Sequence, residues 1–316
     1  MTDLMRLRAL SCMVGQNPLW VQAAGGNTSV KEGNTLWIKA SGACLSDAYH
    51  PSAFVPVNRE ASLAQSTLVY PDSGTRPSME TWMHLALPQQ WVIHTHPVNV
   101  LAWACREDAE AQINKKLADL NATFLPYHMP GKPLASALAA AQRKATTQAF
   151  ILANHGLIVA ADSETEAMAM HQQIEDALMV VPTVLGQANE AALEKKLKNT
   201  PGYRLPNHPL IHQLALSPQA TQWVQTRAPY PDHVVFCHQL VHLYPVNSDK
   251  KVLLYPHEGV LIPQTSHHCV EAMLLMFAEW FLRLDLSCPI RWLTSEEKKA
   301  LLNLDAERYR QQQVQN

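Results

Sequence analysis

Three histidines in apolar surroundings are the residues of this chain best suited to chemistry. His94 and His96 stand in the segment WVIHTHP, whose apolar start predicts a β-strand. Side chains two residues apart on a strand point to the same face, so these two imidazoles can share one metal ion. Structural histidines also occur in such pairs, and the pair alone leaves both interpretations open.

His155 is the third histidine. It belongs to an Asn-His-Gly interruption within the strand-like apolar run from Phe150 to Ala160. Burying an imidazole there without a partner would cost roughly 2 kcal/mol or more. Three neutral imidazoles that leave a fourth position open are typical of a catalytic zinc site. We therefore predict a metal ion bound by His94, His96 and His155.

Glu80 lies near the start of a predicted helix, METWMHLAL, just after Pro77 and Ser78. Its carboxylate could complement the helix dipole, or it could transfer protons if the metal lies close to it. His84, one helical turn later, is interpreted as a core histidine with satisfied hydrogen bonds.

Two glycine-containing turns could bind an anion. The segment AAGGNTS, at 23–29, and the segment KASG, at 39–42, combine flexible glycines with amide, hydroxyl or ammonium donors. Backbone N–H groups can approach an anion closely in such turns. A tight turn without a ligand explains either motif equally well when it is taken alone.

The apolar pattern predicts a layered α/β fold. Strand-like runs at 35–40, 91–96 and 150–160 alternate with helix-like stretches, which is typical of a sheet covered by helices. A capping-box pattern at Ser163 and Glu166 predicts the start of one such helix, which should end near position 181.

A polar and then proline-rich segment at 186–209 predicts a domain boundary near Leu205. We expect a catalytic domain over residues 1–205 and a smaller C-terminal α/β unit over 206–316. In the second unit, HVVFC at 233–237 and VLLYPHEGVLIP at 252–263 favour strands. Residues 268–284 and a stretch capped by Thr294 and Glu297, extending to Gln311, favour helices.

The composition favours a small-molecule partner or a second copy of the chain. The 316 residues are 47 % hydrophobic and 16 % charged, with a net charge of -2, so neither a nucleic-acid footprint nor a membrane-surface role is indicated. The first 15 residues are typical of an amphipathic helix rather than a signal peptide. Six scattered cysteines favour reduced thiols, and we expect a cytoplasmic protein.

Taken together, the ordered motifs GGNTS, KASG, PSME, HTHP and NHGLIV resemble the class II aldolase/adducin family. This family includes fuculose-phosphate and rhamnulose-phosphate aldolases and ribulose-phosphate 4-epimerase. The resemblance covers roughly residues 5–182. The residues of the KASG and HTHP motifs are closer to those of the rhamnulose-phosphate aldolase-like branch. It implies a three-layer α/β/α domain with a central mixed, largely antiparallel sheet.

The resemblance also implies roles for individual residues. It implies Zn²⁺ or another divalent metal at His94, His96 and His155, with Glu80 as the proton-transferring carboxylate. The family's tyrosine acid has no clear motif here, and Tyr127 is a candidate for it. Met79 stands where many relatives have a second serine. The residues expected to bind the substrate or its phosphate are Gly26, Asn27, Lys39, Ser41, Gly42 and Ser78.

The activity implied by the resemblance is that of a zinc-dependent aldolase-type lyase. It would cleave a ketose or ketose phosphate by retro-aldol reaction through an enediolate stabilised by the metal. The same apparatus supports epimerisation, dehydration or decarboxylation, and an adducin-like binding module without catalysis is an alternative of another class. The family further implies a homo-oligomer, most simply a tetramer, in which a partner subunit supplies the second acid.

Overall fold

A computed structural model describes residues 2–142, 145, 147–237, 241–243 and 251–315 of the chain. Its N-terminal part is a seven-stranded sheet covered by helices. The strands are β1 Asn27–Glu32, β2 Thr35–Lys39, β3 Phe54–Asn58, β4 Trp91–Thr95, β5 Ala122–Leu125, β6 Thr147–Leu152 and β7 Gly156–Ala161. The helices are α1 Asp3–Gly15, α2 Arg59–Gln65, α3 Thr81–Ala86, α4 Val98–Ala104, α5 Ala109–Lys116, α6 Lys132–Ala141 and α7 Glu164–Ala177.

The sheet has the strand order β3-β2-β1-β4-β7-β6-β5. Every neighbouring pair is antiparallel except β5 and β6, which are parallel. Successive residues of β4 serve opposite faces, because Trp91 and Ile93 pack with α1, α5 and α7, whereas Val92 packs with α3 and α6. The expected three-layer α/β/α arrangement with a mixed, largely antiparallel sheet is confirmed.

The strand directions bring the sequence motifs to one edge of the sheet. Because β1 is antiparallel to both β2 and β4, its first residue lies beside the last residues of those strands. Asn27, for example, is the register partner of His94. The turn between β6 and β7, which contains His155, lies at the same edge because β7 is antiparallel to β4.

Two elements of this part differ from the sequence expectation. The apolar run 150–160 is not a single strand, because the turn before Gly156 divides it into β6 and β7. The helix capped by Ser163 begins as expected but ends at Ala177 rather than near position 181. Beyond that point, Trp103 Nε1 donates to the carbonyl of Leu178 and the backbone N–H of Val180 donates to a side-chain oxygen of α4, so tertiary contacts replace helical ones.

The C-terminal part has a four-stranded sheet in the order β8-β11-β10-β9. Its strands are β8 Tyr203–Arg204, β9 Val241–Leu243, β10 Val252–Tyr255 and β11 Gly259–Pro263. Its helices are α8 Glu190–Lys198, α9 Gln213–Leu216, α10 Pro218–Thr226, α11 Pro231–Phe236, α12 His268–Phe281, α13 Ser295–Leu302 and α14 Asp305–Gln315.

The prediction of a strand at HVVFC is wrong, since residues 231–236 form helix α11. All six residues of this helix are buried, and a short, continuously apolar run fits a buried helix as well as a buried strand. Pro231 favours the helix, because its fixed φ and missing N–H suit the first turn of a helix.

The predicted boundary near Leu205 stays a prediction, but the structure associates earlier residues with the second sheet. Strand β8 pairs with β11, and Leu193 of α8 packs against Tyr203 and Leu261. The two parts also share a core, in which Trp280 of α12 donates its indole N–H to the carbonyl of Leu101 at 3.3 Å.

The end of the chain forms two helices where the sequence favoured one. Thr294 and Glu297 make the expected capping box, but α13 stops at Leu302 and α14 starts at Asp305. Helix α14 packs against α11 and α13, and its Tyr309 lies under the guanidinium of Arg76 from the first domain. Within the described ranges, no helix has the length and apolar character needed to cross a bilayer.

Candidate functional site

The three histidines singled out in the sequence meet at the edge of the seven-stranded sheet. His94 lies in β4, His96 directly follows that strand, and His155 lies in the β6–β7 turn. All three are buried, and their ligand atoms lie within 4.8 Å of one another. The Nε2 atoms of His94 and His96 are 3.1 Å apart.

The surroundings of two of these rings indicate their tautomers. Nδ1 of His94 is 2.9 Å from the carbonyl oxygen of Leu157, which can only accept, so Nδ1 carries the proton. Nδ1 of His96 is 3.0 Å from a carboxylate oxygen of Asp232, which favours a proton on that nitrogen. In the neutral form of both rings the Nε2 atoms are unprotonated, and their lone pairs face each other.

A cation between the two Nε2 atoms fits this contact. Two lone pairs 3.1 Å apart repel each other, and a positive centre between them removes that repulsion. A tetrahedral zinc site with bonds of about 2.0–2.1 Å separates its nitrogens by about 3.3 Å. The side chains of His94, His96 and His155 therefore form a donor set that suits a divalent metal, in which the roles of Leu157 and Asp232 would be to orient the ligands.

Glu80 lies against the same imidazoles. Its carboxylate oxygens are 3.0 Å from Nε2 of His155 and 3.5 Å from Nε2 of His94. Burial by itself raises the pKa of Glu80, but the interactions with His94 and then His155 lower that pKa well below its ordinary value. The side chain makes no capping hydrogen bond to α3, so its polar contacts are with the histidines and not with the helix terminus.

Asn27 and His84 hold the Glu80 carboxylate in place. The amide Nδ2 of Asn27 donates to Glu80 at 2.6 Å, and Nε2 of His84 donates to the amide oxygen of Asn27. Ser29 in turn donates to Nδ1 of His84 at 2.7 Å. Burial lowers the pKa of His84 well below its ordinary value, so it is a neutral core histidine, as the sequence favoured.

The six residues expected to bind substrate line one pocket beside Glu80. The two loops that contribute to it are joined by backbone hydrogen bonds, from Ser41 to Arg76 at 2.8 Å and from Ser78 to Lys39 at 3.0 Å. Gly26 has a φ of 59°, and a Cβ there would lie 2.8 Å from the carbonyl oxygen of His94. The lining residues foreseen from sequence are Gly26, Asn27, Lys39, Ser41, Gly42 and Ser78.

Lys39 brings a buried ammonium group to this pocket. Its Nζ donates to the carbonyls of Ala24 and Ala43 at 2.7 and 2.8 Å, which leaves one of its three N–H groups for a ligand. Burial, followed by repulsion from Arg310, lowers the pKa of Lys39 to about 8. The ammonium is therefore mostly protonated at neutral pH, but it loses its proton at a lower pH than an exposed lysine does.

Two further residues of the site, Asp232 and Arg310, were missed in the sequence. Asp232 of α11 contacts His96 through one carboxylate oxygen and Arg310 through the other, at 2.9 Å. Arg310 of α14 lines the pocket together with Lys39 and Glu80. In the sequence, Asp232 fits an ordinary acidic residue in the first turn of a helix, and Arg310 fits a surface ion pair with Glu307. No local pattern therefore indicated that either residue belongs to the site.

Tyr127 lies outside the pocket. Its hydroxyl is buried without a hydrogen-bond partner in the described part of the chain, and burial raises its pKa. The ring faces the guanidinium of Arg291, which also donates to the side chain of Asn154, next to His155. The catalytic role of Tyr127 stays a prediction.

A second group of possible metal ligands consists of His267, His268 and Cys269, whose ligand atoms also lie within 4.8 Å. These donors are already engaged with one another. Nδ1 of His267 accepts from the backbone N–H of Cys269 at 3.2 Å, and the thiol lies 3.6 Å from Nε2 of His268. The group at His94, His96 and His155 is therefore the stronger candidate.

Comparison with known proteins agrees with these motifs. Residues 9–181 match the family described as "Class II Aldolase and Adducin N-terminal domain", and the chain belongs to this family. The resemblance found in the sequence is thereby confirmed.

Individual relatives share limited sequence identity with this chain, and only over part of its length. A "3-oxo-tetronate 4-phosphate decarboxylase" of Escherichia coli O6:H1 is 32 % identical over 124 residues, which are 34 % of this chain and 57 % of that protein. An "Uncharacterized oxidoreductase YuxG" of Bacillus subtilis is 26 % identical over 172 residues, covering 47 % of this chain and 25 % of that protein. The chain thus spans well under two thirds of either relative.

A solved class II aldolase domain from Thermoplasma acidophilum has 27 % identity and a TM-score of 0.49. The similarity covers 56 % of this chain and 92 % of that one. The C-terminal unit lies beyond the residues that match the family model.

We expect Asp232→Asn to weaken zinc binding about 10- to 100-fold, because the amide no longer fixes the His96 tautomer and ring. Competition with a zinc-binding dye measures this effect. The control is Asp305→Asn, which changes a carboxylate that is 96 % exposed and should leave the affinity unchanged. Equal zinc affinity in the Asp232 variant and the wild type would contradict the assigned orientation of His96.

Anion binding should weaken as the pH rises above about 8. The lowered pKa of Lys39 means that its positive charge is present below that pH and is lost above it. Sulfate is a suitable probe because it stays a dianion throughout. Calorimetry should show roughly tenfold weaker binding at pH 9 than at pH 7, and Lys39→Met should remove that dependence. A wild-type affinity that stays constant over this range would contradict it.

Proposed function

We propose that this chain is a zinc-dependent lyase that breaks a carbon–carbon bond beside the carbonyl of a phosphorylated ketose. The observation that carries the proposal is the convergence of three buried imidazole side chains beside the Glu80 carboxylate. The adjoining pocket is rich in hydrogen-bond donors that could bind an anion. The family match supports an enzyme of the aldolase type.

The side chains of His94, His96 and His155 would hold the ion. When bound, it supplies Lewis-acid polarisation of the substrate carbonyl and stabilises the negative charge left by bond cleavage. The pocket that contains Asn27, Ser41 and Ser78 would hold the phosphate, so that the reacting carbons lie toward Glu80.

Glu80 would transfer a proton to or from the substrate carbon whose carbon–carbon bond is cleaved or formed. A general base or acid must be within hydrogen-bond reach of that carbon's proton, and Glu80 is placed between the histidines and the pocket. Burial removes most of its hydration, and the Asn27 amide holds one of its two oxygens in place.

Retro-aldol cleavage also requires a group that exchanges a proton with the oxygen of the departing aldehyde. No tyrosine lines the pocket in the portion of the chain that the structure covers. Tyr127 or a residue from a second copy of the chain would then accept this proton during cleavage and return it in the reverse reaction, and we propose a homo-oligomer, most simply a tetramer, for that reason.

Decarboxylation is the second candidate. It releases CO₂ from a 3-oxo acid and forms no aldehyde, so no hydroxyl has to lose its proton, and a site without a second acid–base group suits it. The relatives from Escherichia coli and Haemophilus influenzae that are named "3-oxo-tetronate 4-phosphate decarboxylase", at 32 % and 25 % identity, favour this alternative.

A substrate panel with a matched variant tests the proposal. The zinc-loaded chain is incubated with ketose phosphates, with the same ketoses lacking phosphate and with 3-oxo acid phosphates, while aldehyde and CO₂ are measured separately. We expect aldehyde release from a ketose phosphate, and we expect Glu80→Gln to lower turnover about 10²-fold or more while zinc content stays the same, because the amide cannot carry the proton.

The control is Glu110→Gln, the same change at an exposed position of α5. CO₂ release without aldehyde would select decarboxylation, and equal rates with and without the phosphate would refute the phosphate pocket. A chain that holds no stoichiometric zinc and acts on none of these compounds would instead be a binding module of the adducin kind.

A further inference from the structure

Helix α14 places one of its side chains inside the pocket of the catalytic domain. The guanidinium of Arg310 is 2.9 Å from Asp232 and 3.3 Å from Glu307, and its side chain is only 13 % exposed. It lines the same pocket as Lys39, Ser41 and Ser78. A residue of the last helix therefore belongs to the site formed by the first domain.

Two largely buried cations thus line one small space. Lys39 is hydrogen-bonded to two backbone carbonyls, and Arg310 is close enough to contribute to the lowered pKa of Lys39. The carboxylates of Asp232, Glu307 and Glu80 offset part of this positive charge. Among the described residues, however, Lys39 has no carboxylate in direct contact, so an anion bound beside it would gain a favourable interaction. The surrounding donors are backbone N–H groups, hydroxyls and an amide, which are the usual partners of phosphate.

Arg310 is held in position but retains donors for a ligand. A guanidinium has five N–H groups, and the carboxylates of Asp232 and Glu307 engage its two terminal nitrogens on the side of α11 and α14. The ring of Phe236 packs beneath the guanidinium, at 4.9 Å from its centroid. This support fixes the planar group, as a site for bidentate recognition of an oxyanion requires.

The helix also borders the route by which a ligand would arrive. A cleft of about 630 Å³ adjoins the pocket and shares Ser41 and Gly42 with it. Tyr309, next to Arg310, lines that cleft and is covered by Arg76. A substrate seated in the cleft would therefore lie beside the loop of Ser41 and Gly42, which borders the pocket of Lys39 and Arg310.

We propose that Arg310 determines specificity by binding the phosphate of the substrate, so that the C-terminal helix completes the anion pocket of the catalytic domain within one chain. The inference rests on the proposed function for the identity of the substrate. It accounts for the position of Met79 in the pocket, because a guanidinium from α14 supplies donors that a hydroxyl at position 79 would otherwise give.

The test is the binding of inorganic phosphate to the full-length, zinc-loaded chain, measured by calorimetry. We expect Arg310→Met to weaken binding 10- to 100-fold, since a hydrogen-bonded charge is lost, and Arg310→Lys to fall between that variant and the wild type. The control is Arg308→Met, which makes the same change on the exposed side of the same helix.

Two results would overturn the inference. Phosphate affinity in Arg310→Met equal to that of the wild type would show that the residue is structural, and higher affinity would show that Arg310 blocks the pocket. Failure of the wild type to bind phosphate would also overturn it. Thermal unfolding and zinc content of each variant show whether the fold is retained, and Arg310→Lys keeps the charge if Arg310→Met unfolds.

The two proposals fail separately. If the wild type binds phosphate in an Arg310-dependent way but holds no zinc and cleaves no ketose phosphate, the proposed function is wrong and the anion site stands. If zinc and cleavage are present while the Arg310 variants keep the wild-type ratio of KM for phosphorylated over unphosphorylated substrate, Arg310 does not set specificity.

Discussion

The site depends on three buried imidazoles whose ligand atoms lie within 4.8 Å of one another at the end of the sheet. A backbone carbonyl contacts Nδ1 of His94 and a carboxylate contacts Nδ1 of His96, so the Nε2 atoms of both rings face the centre of the cluster. Such a set of nitrogens suits a divalent cation, whose charge offsets the repulsion between their lone pairs. The neighbouring Glu80, held by Asn27, supplies negative charge at the same point.

The antiparallel sheet explains how distant motifs reach this point. Strand starts and strand ends alternate along its edge, so GGNTS at the start of β1, KASG after β2 and the histidines after β4 and before β7 become neighbours. The C-terminal unit also contributes to this region. It provides the carboxylate that contacts His96 and the guanidinium that lines the pocket beside Glu80.

Sequence reasoning was most effective where local geometry fixes the outcome. The two-residue period of a strand predicted that His94 and His96 would share a face, and the order of the motifs predicted the layered domain. It failed where packing decides. The segment HVVFC is equally apolar as strand or helix, and Pro231 made it a helix. The break between α13 and α14 was not foreseen either; helix α14 packs against α11, and its Tyr309 contacts Arg76.

Asp232 and Arg310 show the same limit at the site itself. Each has an ordinary local explanation, and their importance comes from elements nearly 80 residues apart in the chain that fold against the histidines. Charged residues of this kind can be recognised only after the fold places them in a buried pocket. Through them the C-terminal unit contacts His96 and lines the pocket beside Glu80.

The most direct test of the central claim is the zinc X-ray absorption spectrum of the purified chain loaded with one equivalent of metal. The account predicts one zinc per chain with three imidazole nitrogens at about 2.0–2.1 Å and no sulfur ligand. A sulfur shell at about 2.3 Å would place the ion at Cys269 and its neighbouring histidines instead, and failure to retain one equivalent would contradict the site altogether.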